Sequence, residues 1–308
     1  MGKLSDKIKP NVIISHEGDI SFFHDPMEII TEKSLVLQTG EGLFVFTGQI
    51  VQLIDIIEKQ IMIIANKVEA QPVHVPTILS IQNSERSHYL DSFRNQALMI
   101  QSLNKVTSND VKSELLQYCG MISPTVCYHY FSAIAGRNIS SQSCITARSR
   151  CARHESGKLN TLERLTNFTM REIVFLGSGE YCDRIRRQIL DETIKMLNDV
   201  FDLTYNVSTA SDPFFGKASE SKRKAQLLSQ TKYEINSKLP FNDSSVSIAS
   251  FNDHGSVFYD RFNLTANDEN FRVSGCVGWG YERIIYSILA QKGADFSSDY
   301  YKKFNLKN

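Results

Sequence analysis

Gly275-Cys276-Val277-Gly278-Trp279-Gly280-Tyr281-Glu282-Arg283-Ile284-Ile285-Tyr286-Ser287-Ile288-Leu289 reads as a short strand that ends in glycines and runs straight into an apolar helix. The glycine spacing invites a dinucleotide-binding reading. It fails, because Arg283 stands where that fingerprint needs its third glycine and the chain beyond is too short for a βαβ unit. What remains is backbone that a ligand can approach closely, followed by a helix whose first turn presents an arginine.

Working outward, Phe168 to Leu176 reads as a buried strand ended by Gly177-Ser178-Gly179, and Asp183 to Phe201 as an amphipathic helix with Ile185, Ile189, Met196, Leu197 and Val200 inward. Lys232 to Ile235 and Val246 to Phe251 form a predicted hairpin around the turn-rich Asn242-Asp243-Ser244-Ser245. Nearer the start, Ile50, Leu53, Ile54, Ile57, Ile61, Ile64 and Val68 recur at helical spacing, with further apolar residues around the circumference. Such a helix is expected to meet a partner surface. It gives way to Val73-His74-Val75, an extended edge held between Pro72 and Pro76. With no internal repeat and no linker, these elements predict one continuous α+β domain over residues 1–308, an antiparallel or mixed sheet flanked by helices.

The chain has 308 residues, 42% of them hydrophobic and 22% charged, enough for a substantial core and against disorder. Its 34 basic and 34 acidic side chains cancel, which argues against a wide phosphate-gripping surface. Met1-Gly2-Lys3-Leu4-Ser5-Asp6 carries no apolar signal run, and the apolar stretch from Ile50 to Ala65 is broken by Asp55, Glu58, Lys59 and Gln60. A cytoplasmic protein without a membrane span is expected, its six cysteines (Cys119, Cys127, Cys144, Cys151, Cys182 and Cys276) all thiols.

Two segments carry chemistry. Cys151-Ala152-Arg153-His154-Glu155 is followed by a polar loop and then by Arg164-Leu165-Thr166-Asn167-Phe168-Thr169-Met170-Arg171-Glu172. Arginine forks clamp phosphate oxygens, a carboxylate can take a purine amino group, and an aromatic can stack on a base; a hairpin with solvated charges is the other reading of the same residues. The second segment is the glycine strand and Arg283.

Together they resemble the class II aminoacyl-tRNA synthetase catalytic domain. Arg153-His154-Glu155 with Arg164-x-x-x-Phe168 is similar to motif 2, within residues 150–176, and Gly278-x-Gly280-x-x-Arg283 to motif 3, within residues 275–290. The helix from Gly48 to Lys67 and the strand ending at Pro76 are similar to motif 1, residues 48–76, which the resemblance makes a homodimer interface. Residues 181–230 are expected to be a helical and basic insertion, with no separate tRNA-binding domain.

Within that class the chain resembles the seryl-like amino acid:[carrier protein] ligases. The resemblance rests on Cys127-Tyr128, Arg153-His154-Glu155, Met170-Arg171-Glu172, Ser211-Asp212-Pro213-Phe214-Phe215-Gly216, Ser250-Phe251-Asn252-Asp253-His254 and Cys276-Val277-Gly278. It implies zinc held by Cys127, Glu172 and Cys276, and an amino-acid pocket at Asp212, Ser250, Asn252 and Gly278. It also implies ATP bound by Arg153, Glu155, Arg164, Phe168 and Arg283, with Arg153, Glu155 and Arg283 catalytic. Two thiolates and a carboxylate leave a tetrahedral Zn²⁺ one open position, suited to an amine. One departure concerns Mg²⁺: Ser247 stands where synthetases commonly place an acid three residues before the serine of this strand.

The implied reaction activates a small amino acid, alanine or glycine, as its adenylate and passes it to the phosphopantetheine thiol of an acidic carrier protein. Arg184, Arg186, Arg187 and Lys195, with Lys217, Lys222, Arg223 and Lys224, form the basic surface expected to steer that carrier. Two alternatives stay open: a minimal seryl-type aminoacyl-tRNA synthetase, and a non-catalytic paralogue that binds amino acid or nucleotide and regulates a partner.

Overall fold

The structure, a computed structural model, describes residues 10–103, 115–214 and 219–306. Met1 to Asp6, Phe215, Gly216 and Lys217 lie outside the described residues.

An eight-stranded sheet organises the molecule. Its strands in chain order are β1 (Val12–His16), β2 (Gln71–Pro72), β3 (Ser143–Ala152), β4 (Asn167–Gly177), β5 (Tyr205–Thr209), β6 (Lys232–Leu239), β7 (Ser244–Gly255) and β8 (Val273–Gly280). Across the sheet the order is β1-β5-β6-β7-β8-β4-β3-β2. All neighbours are antiparallel except β2, which runs parallel to β3. The expected hairpin of β6 and β7 is present and longer than expected, since the ladder extends from Lys232↔Asn252 to Leu239↔Ser244. The edge strand is Gln71–Pro72 rather than Val73–Val75; Val73 adds one more bond, from its N–H to Thr146 O at 2.9 Å. Proline is tolerated there because one side of an edge strand needs no donor.

The helices that matter for the site and the core are α1 (Gly48–Lys67), α2 (Cys127–Ala133), α3 (Gly179–Lys195), α4 (Ser219–Ser229) and α5 (Tyr281–Lys292). Ser178 caps α3, its side chain accepting from Tyr181 N, and the helix continues through a π turn at Met196–Val200. Residues 181–230 are therefore not wholly an insertion: α3 and the internal strand β5 belong to the main layers.

Side-chain alternation along the strands divides the sheet into two faces. Ile173, Phe175, Phe251, Val277 and Trp279 point to the face covered by α1, α3 and α5, where Ile57, Ile61, Ile189 and Ile285 complete the core. Phe175 and Phe251 are almost wholly buried, each worth about 1.5–3 kcal/mol. On the opposite face, Ala147, Glu172, Gly278, Ser250, Glu234 and Ser208 are successive register partners in one row across the strands. Direct antiparallel partners share a face, so this row forms a floor.

Candidate active site

Glu172 lies at the centre of that floor and is 2% exposed. Its carboxylate accepts from Val126 N at 3.0 Å, from Cys127 N at 2.8 Å and from the Thr125 hydroxyl. It thereby caps the start of α2 and draws Cys127 down to the sheet, where the alternation of β8 sets Cys276 on the same face. The ligand atoms of Cys127, Glu172 and Cys276 all lie within 4.8 Å of one another, and all three residues are buried.

Burial, with the Cys276 sulfur beside it, pushes the Glu172 carboxyl up to about 7. Cys276 is held well below the usual thiol range by bonds from Cys127 and from His254 and Asn252, against its burial; Cys127 is raised by its bond to Cys276 and by burial. Three acidic groups crowded out of water compete for protons, and a divalent cation relieves that competition. The donor set fits a tetrahedral zinc with one position left for a ligand. Cys151 and Cys182 are buried core residues, Cys144 is partly buried, Cys119 is exposed, and none is disulfide-bonded.

Around the cluster lie Ser250 and Asn252, whose amide reaches Ser250 Oγ at 3.3 Å and Cys276 Sγ at 3.5 Å. A Cβ at Gly278 would meet Glu172 Cγ at 3.3 Å, Met170 Sδ at 3.5 Å and Ser250 Oγ at 3.8 Å, so this glycine keeps the space beside Glu172 free of a side chain. Asp212 is already engaged: it pairs with Lys232 Nζ at 2.5 Å and accepts from Gln226 Nε2 at 3.0 Å. Burial raises its carboxyl, but Lys232 outweighs that and holds it low. Lys232 also pairs with Glu234 at 3.0 Å. Sequence reasoning missed Lys232, Glu234 and Gln226. Only the alternation of β6 hinted at the first two, by placing them on one face.

Arg153, Arg164 and Arg283 lie close enough for the charges of the first two to act on the third. Arg153 donates from Nε and Nη2 to Pro124 O at 3.1 and 2.9 Å, and its guanidinium lies 5.2 Å from the Phe168 ring centre. Arg164 reaches Ser156 O at 2.7 Å and stands 3.8 Å from Glu155, a loose pair at the loop. Arg283 donates to Glu163 O at 2.8 Å and Ser247 O at 3.1 Å; burial and the charge of Arg153 lower its proton affinity. Two guanidiniums close enough to repel one another would be relieved by an anion between them. Ser247 offers no carboxylate here; besides Glu172, the floor carries Glu234, the register partner of Ser250.

The basic surface expected on α3 is mostly neutralised. Arg186 turns inward, 5.2 Å from the Tyr233 ring centre with its side chain 13% exposed, because the aromatic face and Thr231 O offer better partners than solvent. Arg187 pairs with Asp183, Lys195 with Glu192 and Lys224 with Glu220. Lys222 reaches Ser92 Oγ at 3.1 Å.

No family model matches the chain. The chain is 24% identical over 323 residues to a type-2 serine–tRNA ligase of Methanopyrus kandleri, covering 93% of this chain but 61% of that enzyme. It is 24% identical over 291 residues to amino acid–[acyl-carrier-protein] ligase 1 of Bradyrhizobium diazoefficiens, covering 89% of this chain and 87% of that protein. Among solved structures it superposes on M. kandleri seryl-tRNA synthetase in complex with tRNASec from A. aeolicus, with a TM-score of 0.84 at 21% identity over 97% of this chain and 64% of that one.

Proposed function

We propose that this chain, which has the class II aminoacyl-tRNA synthetase catalytic fold and counts amino acid–[acyl-carrier-protein] ligases and type-2 serine–tRNA ligases among its relatives, activates a small amino acid and transfers it to a carrier protein. The observation that carries the reading is the buried Cys127–Glu172–Cys276 cluster, with the charge of Arg153 acting on Asp212 and on Arg283. An amino-acid carboxylate oxygen attacks the α-phosphorus of ATP, the bond to pyrophosphate breaks, and an aminoacyl adenylate forms. The thiol of a carrier's phosphopantetheine arm then adds to the carbonyl carbon, and AMP leaves with the electron pair of the C–O bond.

Zinc held by Cys127, Glu172 and Cys276 would bind the amino acid through its neutral amine. Asn252, Ser250 and the open floor at Gly278 shape the space for its side chain, which favours alanine or glycine. Arg153 and Arg283 neutralise phosphate charge as it develops, Arg164 meets the outer phosphates, Glu155 takes the adenine side, and Phe168 supplies a stacking face. Mg²⁺ would be held mainly by the phosphates of the nucleotide and would neutralise their charge, with Glu234 the protein carboxylate proposed to help hold it. Free thiols and ATP dependence fit a cytoplasmic enzyme.

A zero net charge favours a carrier over tRNA as the acceptor. The 24% identity to serine–tRNA ligases keeps tRNA charging as the second reading. ATP–pyrophosphate exchange against each amino acid, followed by mass spectrometry of carrier protein and tRNA as acceptors, separates them. Exchange with alanine or glycine and a mass gain on the carrier are expected; serine exchange with tRNA charging would replace this reading, and no exchange at all would leave the regulatory paralogue. Arg283→Ala should abolish most of the exchange with the fold retained.

A further inference from the structure

We infer that His254 is a positioning residue for the metal cluster, donating an N–H bond to the Cys276 sulfur from outside the ligand set; the inference rests on the zinc reading above. His254 Nε2 lies 3.4 Å from Cys276 Sγ, and its Nδ1 lies 3.4 Å from Ser274 Oγ. A metal-bound sulfur carries no proton and only accepts. Nε2 must then hold the hydrogen, which makes Nδ1 the acceptor and turns the hydroxyl of the fully buried Ser274 toward it. The relay Ser274 O–H to Nδ1, then Nε2–H to sulfur, leaves one tautomer.

Two aromatic neighbours back the ring in this pose. It packs edge-on against Phe258 with centroids 4.5 Å apart and against Phe131 at 6.1 Å. His254 is not a fourth ligand: among the described residues, the group of mutually close donors is Cys127, Glu172 and Cys276 alone. The open position therefore stays free for the substrate amine, while Asn252 Nδ2 adds a second donor to the same sulfur at 3.5 Å. Such outer partners fix ligand orientation and typically change metal affinity by roughly 10–100-fold when removed.

The test is zinc affinity by chelator competition on purified protein, with Co²⁺ as a spectroscopic substitute whose sulfur-to-metal charge-transfer band reports the Cys276 bond. His254→Phe keeps the ring packing but loses both nitrogens, and should weaken zinc roughly 10–100-fold and shift the band. His254→Gln, which keeps an N–H, should recover much of both, and Ser274→Ala should show a smaller loss. Unchanged affinity and an unchanged band in His254→Phe overturn the positioning role; if that variant does not fold, wild-type values in Ser274→Ala overturn it instead. A wild-type protein that binds no zinc overturns the metal reading with it, whereas a zinc-loaded wild type with indifferent variants overturns this role alone.

Discussion

Gly278 and Glu58 show how much single positions decide here. At Gly278, an added methyl would stand 3.3 Å from Glu172 Cγ, closer than most side-chain contacts, and would take volume from the pocket floor. Gly278→Ala should shift the ratio of exchange rates from alanine toward glycine by ~10-fold or more, the value of about one methylene. Strong activation of a bulky amino acid by the wild type would reject the pocket assignment. Glu58, on α1, takes two bonds from Arg171, at 2.5 and 3.0 Å, and one from the Tyr281 hydroxyl. Burial raises the Glu58 carboxyl, but Arg171 and Tyr281 outweigh it and leave it below its ordinary value. Because the folded form is the more acidic, this stability is present above the ordinary carboxylate value, near 4.5, and is lost as pH falls below it. Glu58→Gln should cost about 2–3 kcal/mol in urea unfolding at neutral pH, with a difference from wild type that shrinks in acid.

At the scale of elements, the helices divide by how they are held. α1, α3 and α5 are anchored by buried isoleucines, whereas α4 buries no side chain. Polar bonds tie α4 down: Gln226 to Asp212, Lys222 to Ser92, and Arg223 to Phe214 O at 2.9 Å. Elements without buried apolar contacts open first, so α4 amides should exchange hydrogen at least ~100-fold faster than those of α5. Equal protection by mass spectrometry would contradict this. The neutralised charges of α3 also change the expectation for a carrier: charge reversal at Arg186 should perturb the fold through Tyr233 and Asp183 rather than slow an encounter.

For the whole molecule, α1 leaves some of its apolar residues in water. Ile50, Leu53, Ile57 and Ile61 are wholly buried, yet Val51 and Ile63 remain 41% and 47% exposed, and a two-stranded hairpin just before α1, Val36–Gly40 with Leu43–Phe46, also exposes Leu37 and Val45. Apolar residues left in water on an otherwise well-packed helix favour self-association, so a dimer is expected in light scattering at micromolar concentration. Ile63→Glu should shift it toward monomer, and a monomeric wild type would contradict the interface.

The strands from Asn167 to Gly177 and Val273 to Gly280, the hairpin of Lys232 to Gly255 and the long helices were legible in sequence, because side-chain period, turn residues and caps are local properties. The resemblance of short motifs also marked Cys127, Glu172 and Cys276, which the fold brings together. Local pattern could not show that Glu172 caps α2, that Lys232 occupies Asp212, or that Arg186 faces inward. Glu58 is 113 positions from Arg171 and 223 from Tyr281, and such pairings exist only after the sheet register sets which residues share a face. Periodicity assigned each residue to its element; burial then decided its partner, because a charge removed from water must be satisfied by whatever the packed fold brings within reach.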